Sequence, residues 1–230
     1  MLYLYLLLNL GSLSIPLIYS FEKNMRFIKH WKAVLLSLTI VAAVFLVWDA
    51  IFTKNGVWGF NPDYHLPFLL LGMPIEEWLF FFCIPYASIF IHYSLEYFKP
   101  NLLISKKNTQ FITLALIAVV IPVLIMNWGK AYTTVNYSFL IGTLLIGFFF
   151  GIEYLRRFYI AFLIILIPFF IVNGVLTGTG LEEPVVWYNN NENLGIRLVT
   201  IPVEDIGYAF TMLFGNVFLI EKFKKRLNNF

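Results

Sequence analysis

Windows of about 20 apolar residues recur along the whole of this sequence, and no other feature limits its fold so tightly. Seven stand out, at roughly residues 2–19, 33–51, 74–95, 110–127, 135–151, 158–176 and 202–220. Each is of the length that crosses a hydrocarbon layer ~30 Å thick as a helix, the form in which one segment satisfies its own backbone hydrogen bonds in lipid. Charged residues make up 13% of the chain and apolar residues 60%, whereas a soluble domain is about a quarter charged. The expectation is an all-α polytopic membrane protein with about seven transmembrane helices and little material for a soluble domain. The first apolar run begins at Leu2 without a basic stretch or a small-residue cleavage site, so it reads as a retained helix. The lone cysteine, Cys83, falls inside the third span, which excludes an internal disulfide or a cysteine cluster for metal.

Against that apolar background two acidic motifs are conspicuous. Pro74-Ile75-Glu76-Glu77 opens the third span, and Pro202-Val203-Glu204-Asp205 opens the seventh, 128 residues later. A single copy reads equally well as a helix start, with proline in the first turn and acids facing the positive end of the dipole. A second copy at a matched position, each followed by a run of aromatics, points to a site, because ionisable groups in a span are costly. At the same offset, span one falls on span five, span two on six and span three on seven. Asn61 and Asn189 each lie 13 residues before the motif proline, in Trp-bearing loops.

Span four has no counterpart. The expected organisation is a first three-helix repeat (1–100), a linker transmembrane helix (101–130) and a second three-helix repeat (131–230). One extra span restores the direction of the second unit, so the two repeats are parallel and both motifs face one side. Thirteen basic residues fall in the connections after spans one, three and five and in the C-terminal tail, among them Lys23, Lys106, Arg156, Arg157 and Lys225. Only Lys54, Lys130 and Arg197 lie on the other side, so the N-terminus is expected outside and the C-terminus in the cytoplasm. Leu66–Phe98 would make ~50 Å of helix, too long for one crossing, so a fresh start or a break is expected at Gly72-Met73-Pro74.

Glu76, Glu77, Glu204 and Asp205 are the candidate catalytic residues. Trp78, Phe81, Tyr86 and Tyr208 are candidate substrate contacts, because aromatic faces stabilise a cation by ~0.5–2 kcal/mol each. Asp49, at the end of span two, Asn173 in span six, and the loop residues Asn61 and Asn189 complete the candidate binding set. Arg197 is positioned in sequence to neutralise Glu204 or Asp205. His30 and His65 form no metal-binding pair. A retinal protein needs a lysine in the last span, and Leu213–Ile220 has none. Asp-rich clusters for Mg²⁺ and pyrophosphate, and a G-x-G-x-x-G fingerprint for a flavin or nicotinamide, are also missing. Acid–base chemistry on an apolar substrate, without metal or redox cofactor, is what remains.

These residues resemble a known family. Pro74-Ile75-Glu76-Glu77-Trp78-Leu79-Phe80-Phe81, Pro184-Val185-Val186-Trp187-Tyr188-Asn189, Glu192-Asn193-Leu194-Gly195-Ile196-Arg197 and Ile201-Pro202-Val203-Glu204-Asp205, with Asn216-Val217 and Glu221, resemble the integral-membrane lycopene cyclases. Those enzymes occur as two small subunits in some bacteria and as a fusion in archaea, other bacteria and fungi. The resemblance implies a fused lycopene β-cyclase, an intramolecular lyase of the isomerase class, unrelated to the flavin-dependent cyclases. Its substrate would be lycopene or a related acyclic carotenoid, met in the bilayer, with no nucleic acid partner and with a homo-oligomer permitted. The bacterial inner membrane would be its location. The implied chemistry needs a carboxylic acid to protonate an end group and a base to remove a proton after ring closure. A proton-coupled transporter is the alternative for paired buried acids. It would want a polar pathway, and spans three and seven offer few polar residues beyond the motifs.

Overall fold

A computed structural model describes residues 1–227 of the chain. Seven helices carry it: α1 (Leu4–Tyr19), α2 (Trp31–Lys54), α3 (Ile75–Phe98), α4 (Lys106–Met126), α5 (Ala131–Phe150), α6 (Ile152–Leu176) and α7 (Glu204–Leu227). Six of them are long and apolar enough to cross a membrane. The exception is α1, whose 16 residues make about 24 Å of helix. The fold is an all-α polytopic bundle, with α1 shorter than its apolar run suggests.

The non-helical residues concentrate at the end of the bundle where both motifs lie. Strands β1 (Trp58–Phe60), β2 (Leu69–Leu70) and β3 (Met73–Pro74) precede α3, and β4 (Val186–Tyr188), β5 (Arg197–Leu198) and β6 (Ile201–Pro202) precede α7. Every strand in the second set lies 128 residues after its counterpart. β1 and β4 pair with each other, antiparallel, in the register Trp58–Tyr188, Gly59–Trp187 and Phe60–Val186. Two equivalent strands paired symmetrically about one residue pair are what a twofold axis through that pair produces. The axis passes between Gly59 and Trp187, and α3 and α7 therefore start from the same side. The repeats are parallel, as the linker helix requires.

The axis also explains why those two residues differ. Directly opposed residues put their side chains on one face, and the Trp187 indole lies where a Cβ on Gly59 would be, 2.3 Å from its nearest atom. Tryptophan on both strands would place two rings in one space.

Helices α3 and α7 form the centre. α1 packs on α3, α5 on α7, and α2 against both. One core joins α5, α6 and α7 around Phe158, Phe210 and Phe214, and another joins α2, β1 and α3 around Phe45, Phe52 and Phe81.

One sequence expectation is narrowed and two change in detail. The start of α3 is fresh, at Ile75, after a two-residue hairpin whose turn residues Leu71 and Gly72 both have positive φ, so no long broken helix exists. Pro74 is the N-cap residue in extended backbone and not the first helical residue. Arg156 and Arg157 are not in a loop, because α5 and α6 are joined through Gly151 alone. A Cβ there would sit 2.9 Å from the Phe218 ring, so glycine makes this tight connection. The two guanidinium groups still serve the basic end: Arg156 donates to the Ile104 carbonyl at 2.8 Å, and Arg157 to those of Lys99 and Pro100.

Candidate active site

Each acidic pair begins a helix, where a residue and its neighbour point about 100° apart. One acid of each pair therefore turns toward the loop and the other toward the bundle axis. Glu76 turns outward: its Oε1 accepts the Leu66 amide at 2.8 Å. Glu204 does the same with the Leu194 amide at 2.7 Å, and also accepts from the Thr133 hydroxyl at 2.7 Å. Both are fully buried. In each half this carboxyl ties the preceding loop to the helix start.

Glu77 and Asp205 turn inward. They line a single cavity of about 270 Å³, in which the two motifs meet. The phenol of Tyr5 donates to Glu77 Oε2. Tyr132 donates to Asp205 Oδ1 at 2.5 Å, and Tyr188 to Oδ2 at 3.1 Å. A third carboxyl, Asp49, joins them in the wall. Its Oδ1 accepts the Trp58 indole N–H at 2.6 Å, and Oδ2 is buried without a hydrogen-bond donor. Asp49 and Glu77 line the same part of the cavity with Trp58 and Tyr208.

The rest of the wall is aromatic and aliphatic. Trp58, Tyr208 and Phe60 surround the carboxyls, and Asn173 of α6 and Thr177, which caps that helix, add polar side chains. Tyr188 belongs to β4, outside the spans. Burial raises its phenol well above the ordinary value, and the Asp205 charge raises it further, so it stays protonated and remains a donor.

Of the sequence candidates, Glu77, Asp205, Asp49, Tyr208 and Asn173 come together around the cavity. The others lie elsewhere. Trp78 turns to the hairpin and donates to the Leu70 carbonyl at 3.2 Å. Phe81 is buried in the core against Phe45 and Phe80. Tyr86 meets the Ser20 hydroxyl at 2.7 Å near the basic end. Asn61 and Asn189 close Asx turns on the amides of Asp63 and Asn191, which is why they recur at equal spacing. Arg197 pairs with neither acid; it donates to the Thr200 carbonyl and Asn190 Oδ1 and lies over the Tyr188 ring.

Several functional neighbours escaped the sequence reading. Asn9 Nδ2 donates to the Glu76 carbonyl at 2.8 Å, and Asn136 Nδ2 to the Glu204 carbonyl at 2.7 Å. With the two tyrosines they form a Tyr-x-x-x-Asn pattern, Tyr5 to Asn9 and Tyr132 to Asn136, repeated at an offset of 127. A fixed offset of 128 sets Tyr5 on Thr133 and hides the match.

Fold and site together define a polytopic membrane protein that brings buried carboxyls from two homologous halves to one apolar, aromatic-walled cavity. That is equipment for proton chemistry on an apolar molecule. The sequence profile of the lycopene cyclase family matches residues 2–95 and 129–223, and the chain belongs to that family of carotenoid cyclases. The matched segments begin 127 residues apart and end 128 apart, the same shift that separates α1/α5 from α3/α7. No curated protein and no solved structure matches the chain.

Proposed function

We propose that the protein is a lycopene β-cyclase, an intramolecular lyase that closes a ψ end group in this cavity by acid–base catalysis without a redox cofactor. The observation that carries the reading is the presence of Glu77 and Asp205, one from each motif, in one apolar cavity. Ring closure is an isomerisation. A proton adds at C2, a tertiary cation forms at C1, the C5–C6 double bond attacks it, and the proton on C6 leaves to give the β ring. One group gives a proton and another receives one.

The two halves are built for different parts of this sequence. Asp49 and Glu77 line one cavity, and of two neighbouring carboxyls in an apolar site one is kept protonated. At the register of Asp49 the second half has Thr177. Asp205 instead accepts phenol O–H bonds on both oxygens, from Tyr132 and Tyr188, which hold the carboxyl in place. We assign the Asp49–Glu77 pair as the acid and Asp205 as the base. Glu76 and Glu204 position the loops that close the site, and Trp58, Tyr208, Tyr5 and Tyr132 surround the cation. Those rings stabilise positive charge by ~0.5–2 kcal/mol each and exclude the water that would trap it as an alcohol.

The domain division at 1–100, 101–130 and 131–230 belongs to this reading, as does an inner-membrane location with the motif end outside the cytoplasm. Expression in a lycopene-accumulating bacterium, with pigment chromatography, tests the function directly. Cyclic carotenoid should form, and purified protein in lipid should make it without added flavin or nicotinamide. Unchanged lycopene alongside correctly inserted protein would overturn the proposal.

A further inference from the structure

We propose that the polyene of the substrate lies in a groove between α1 and α6, floored by α3, and that Gly11 and Ser12 keep this groove open while its symmetry mate is closed by aromatic side chains. The inference rests on the cyclase reading above and adds where the substrate body goes and which residues admit it.

The carboxyl cavity does not end at the acids. It continues along α3 from Glu77 to Ile91, between Gly11 and Ser12 of α1 and Phe169 of α6. Fourteen residues on α3 separate its ends, about 21 Å of helix. A rigid, linear polyene whose end group touches the carboxyls has to extend somewhere, and this apolar trough is continuous with them. Its length accommodates most of a molecule comparable with the ~30 Å hydrocarbon core.

The pseudo-twofold axis generates a second trough, between α5 and α2 over α7. There the chain has filled it. Ser12 corresponds to Phe139 at the 127 offset, and Asn173 and Leu176 correspond to Phe45 and Trp48 at 128. The Trp48 ring lies 5.4 Å from each of Phe45 and Phe139 and 5.0 Å from Tyr208. Ser12, Asn173 and Leu176, none of them aromatic, thus stand where the other half has clustered aromatic rings. The carboxyl site is shared, but the substrate's body reaches it through one half.

Two glycines make a matched test. A Cβ on Gly11 meets no heavy atom within 4 Å, and the same holds for Gly142 on α5. Gly142 stands at the register of the groove residue Ile15, but in the closed half. A side chain can therefore start from either position without its Cβ meeting a neighbour, and replacing glycine improves helix propensity. Gly11 lines the groove and Gly142 does not, so only Gly11→Phe adds a ring at the groove wall. The full-length wild type and both variants are expressed in the lycopene-accumulating host, purified, and assayed for retained polyene by visible absorbance and for cyclisation in lipid.

Each apolar carbon unit displaced from the groove costs about fourfold in affinity, so Gly11→Phe should lower both bound polyene and cyclisation by at least about tenfold. Gly142→Phe should stay near wild type. Ser12→Phe, which copies Phe139 into the open half, should behave like Gly11→Phe. Wild-type polyene retention by folded Gly11→Phe, or an equal loss in Gly142→Phe, would overturn the groove. If wild type retains lycopene but never cyclises it, and Gly11→Phe loses the retention, the function proposal falls and the groove stands.

Discussion

Tyr132→Phe removes one hydroxyl and nothing else. That hydroxyl donates to Asp205 Oδ1 at 2.5 Å. The ring itself packs edge-on to Trp58 at 5.2 Å and stacks on Tyr188 at 5.8 Å, contacts that phenylalanine keeps. A hydrogen bond to a charged group contributes about 1.5–3 kcal/mol. At 1.4 kcal/mol per decade, kcat should fall by roughly tenfold to 150-fold if Asp205 has to be held and charged in the transition state. KM should change little, because the phenol touches the carboxyl and not the polyene groove. Tyr188→Phe removes the longer bond, at 3.1 Å, and should cost less. The double variant should cost more than the two effects multiplied, since Asp205 then loses both donors. The assay is initial-rate cyclisation of lycopene in lipid vesicles, with the amount of folded enzyme measured separately. A kcat within twofold of wild type for folded Tyr132→Phe would refute Asp205 as a reacting group oriented by that phenol. A loss confined to the yield of folded protein would do the same.

Glu77→Gln and Asp205→Asn should each abolish cyclisation while inserting normally, whereas Glu76→Gln should retain measurable activity, because its amide oxygen still accepts the Leu66 amide; pigment analysis of the three variants separates them. If lycopene is normally cyclised at both ends, Glu77→Gln should suppress both rings together, and stable monocyclic product formed at the normal first-ring rate would show two independent sites. Gly59→Ala forces a Cβ to within 2.3 Å of the Trp187 ring; overpacking of this kind costs about 1–3 kcal/mol, so thermal stability should fall and Trp187→Ala should restore it. A reporter at Asn190 should read external and one fused after Phe230 cytoplasmic, Phe230 being outside the described residues; both reporters on one side would break the parallel-repeat topology.

The helical membrane class, the doubled motif and the repeat were all legible in the sequence, and for physical reasons local to it. Lipid imposes a length on every span, whatever it packs against. An acid pair in an apolar run is conspicuous because burial is costly, and its recurrence at 128 residues carries the symmetry of the whole bundle. The asparagines before the motifs also recur, yet they recur as turn formers, a role their spacing alone does not separate from binding.

Tertiary structure decided what faces what. Glu76 and Glu77 are chemically near-identical neighbours, and only the placement of α1 and the loop at Leu66 turns one outward and the other into the cavity. Tyr5 and Tyr132 reach their carboxyls from helices 72 and 73 residues away, and a one-residue shift in offset between outer and central helices obscured them. The inequality of the halves is likewise a property of packing: Ser12 and Phe139 are unremarkable as letters in two apolar helices. Whether such a side chain meets lipid, a substrate or a neighbouring ring depends on which helices the fold sets beside it.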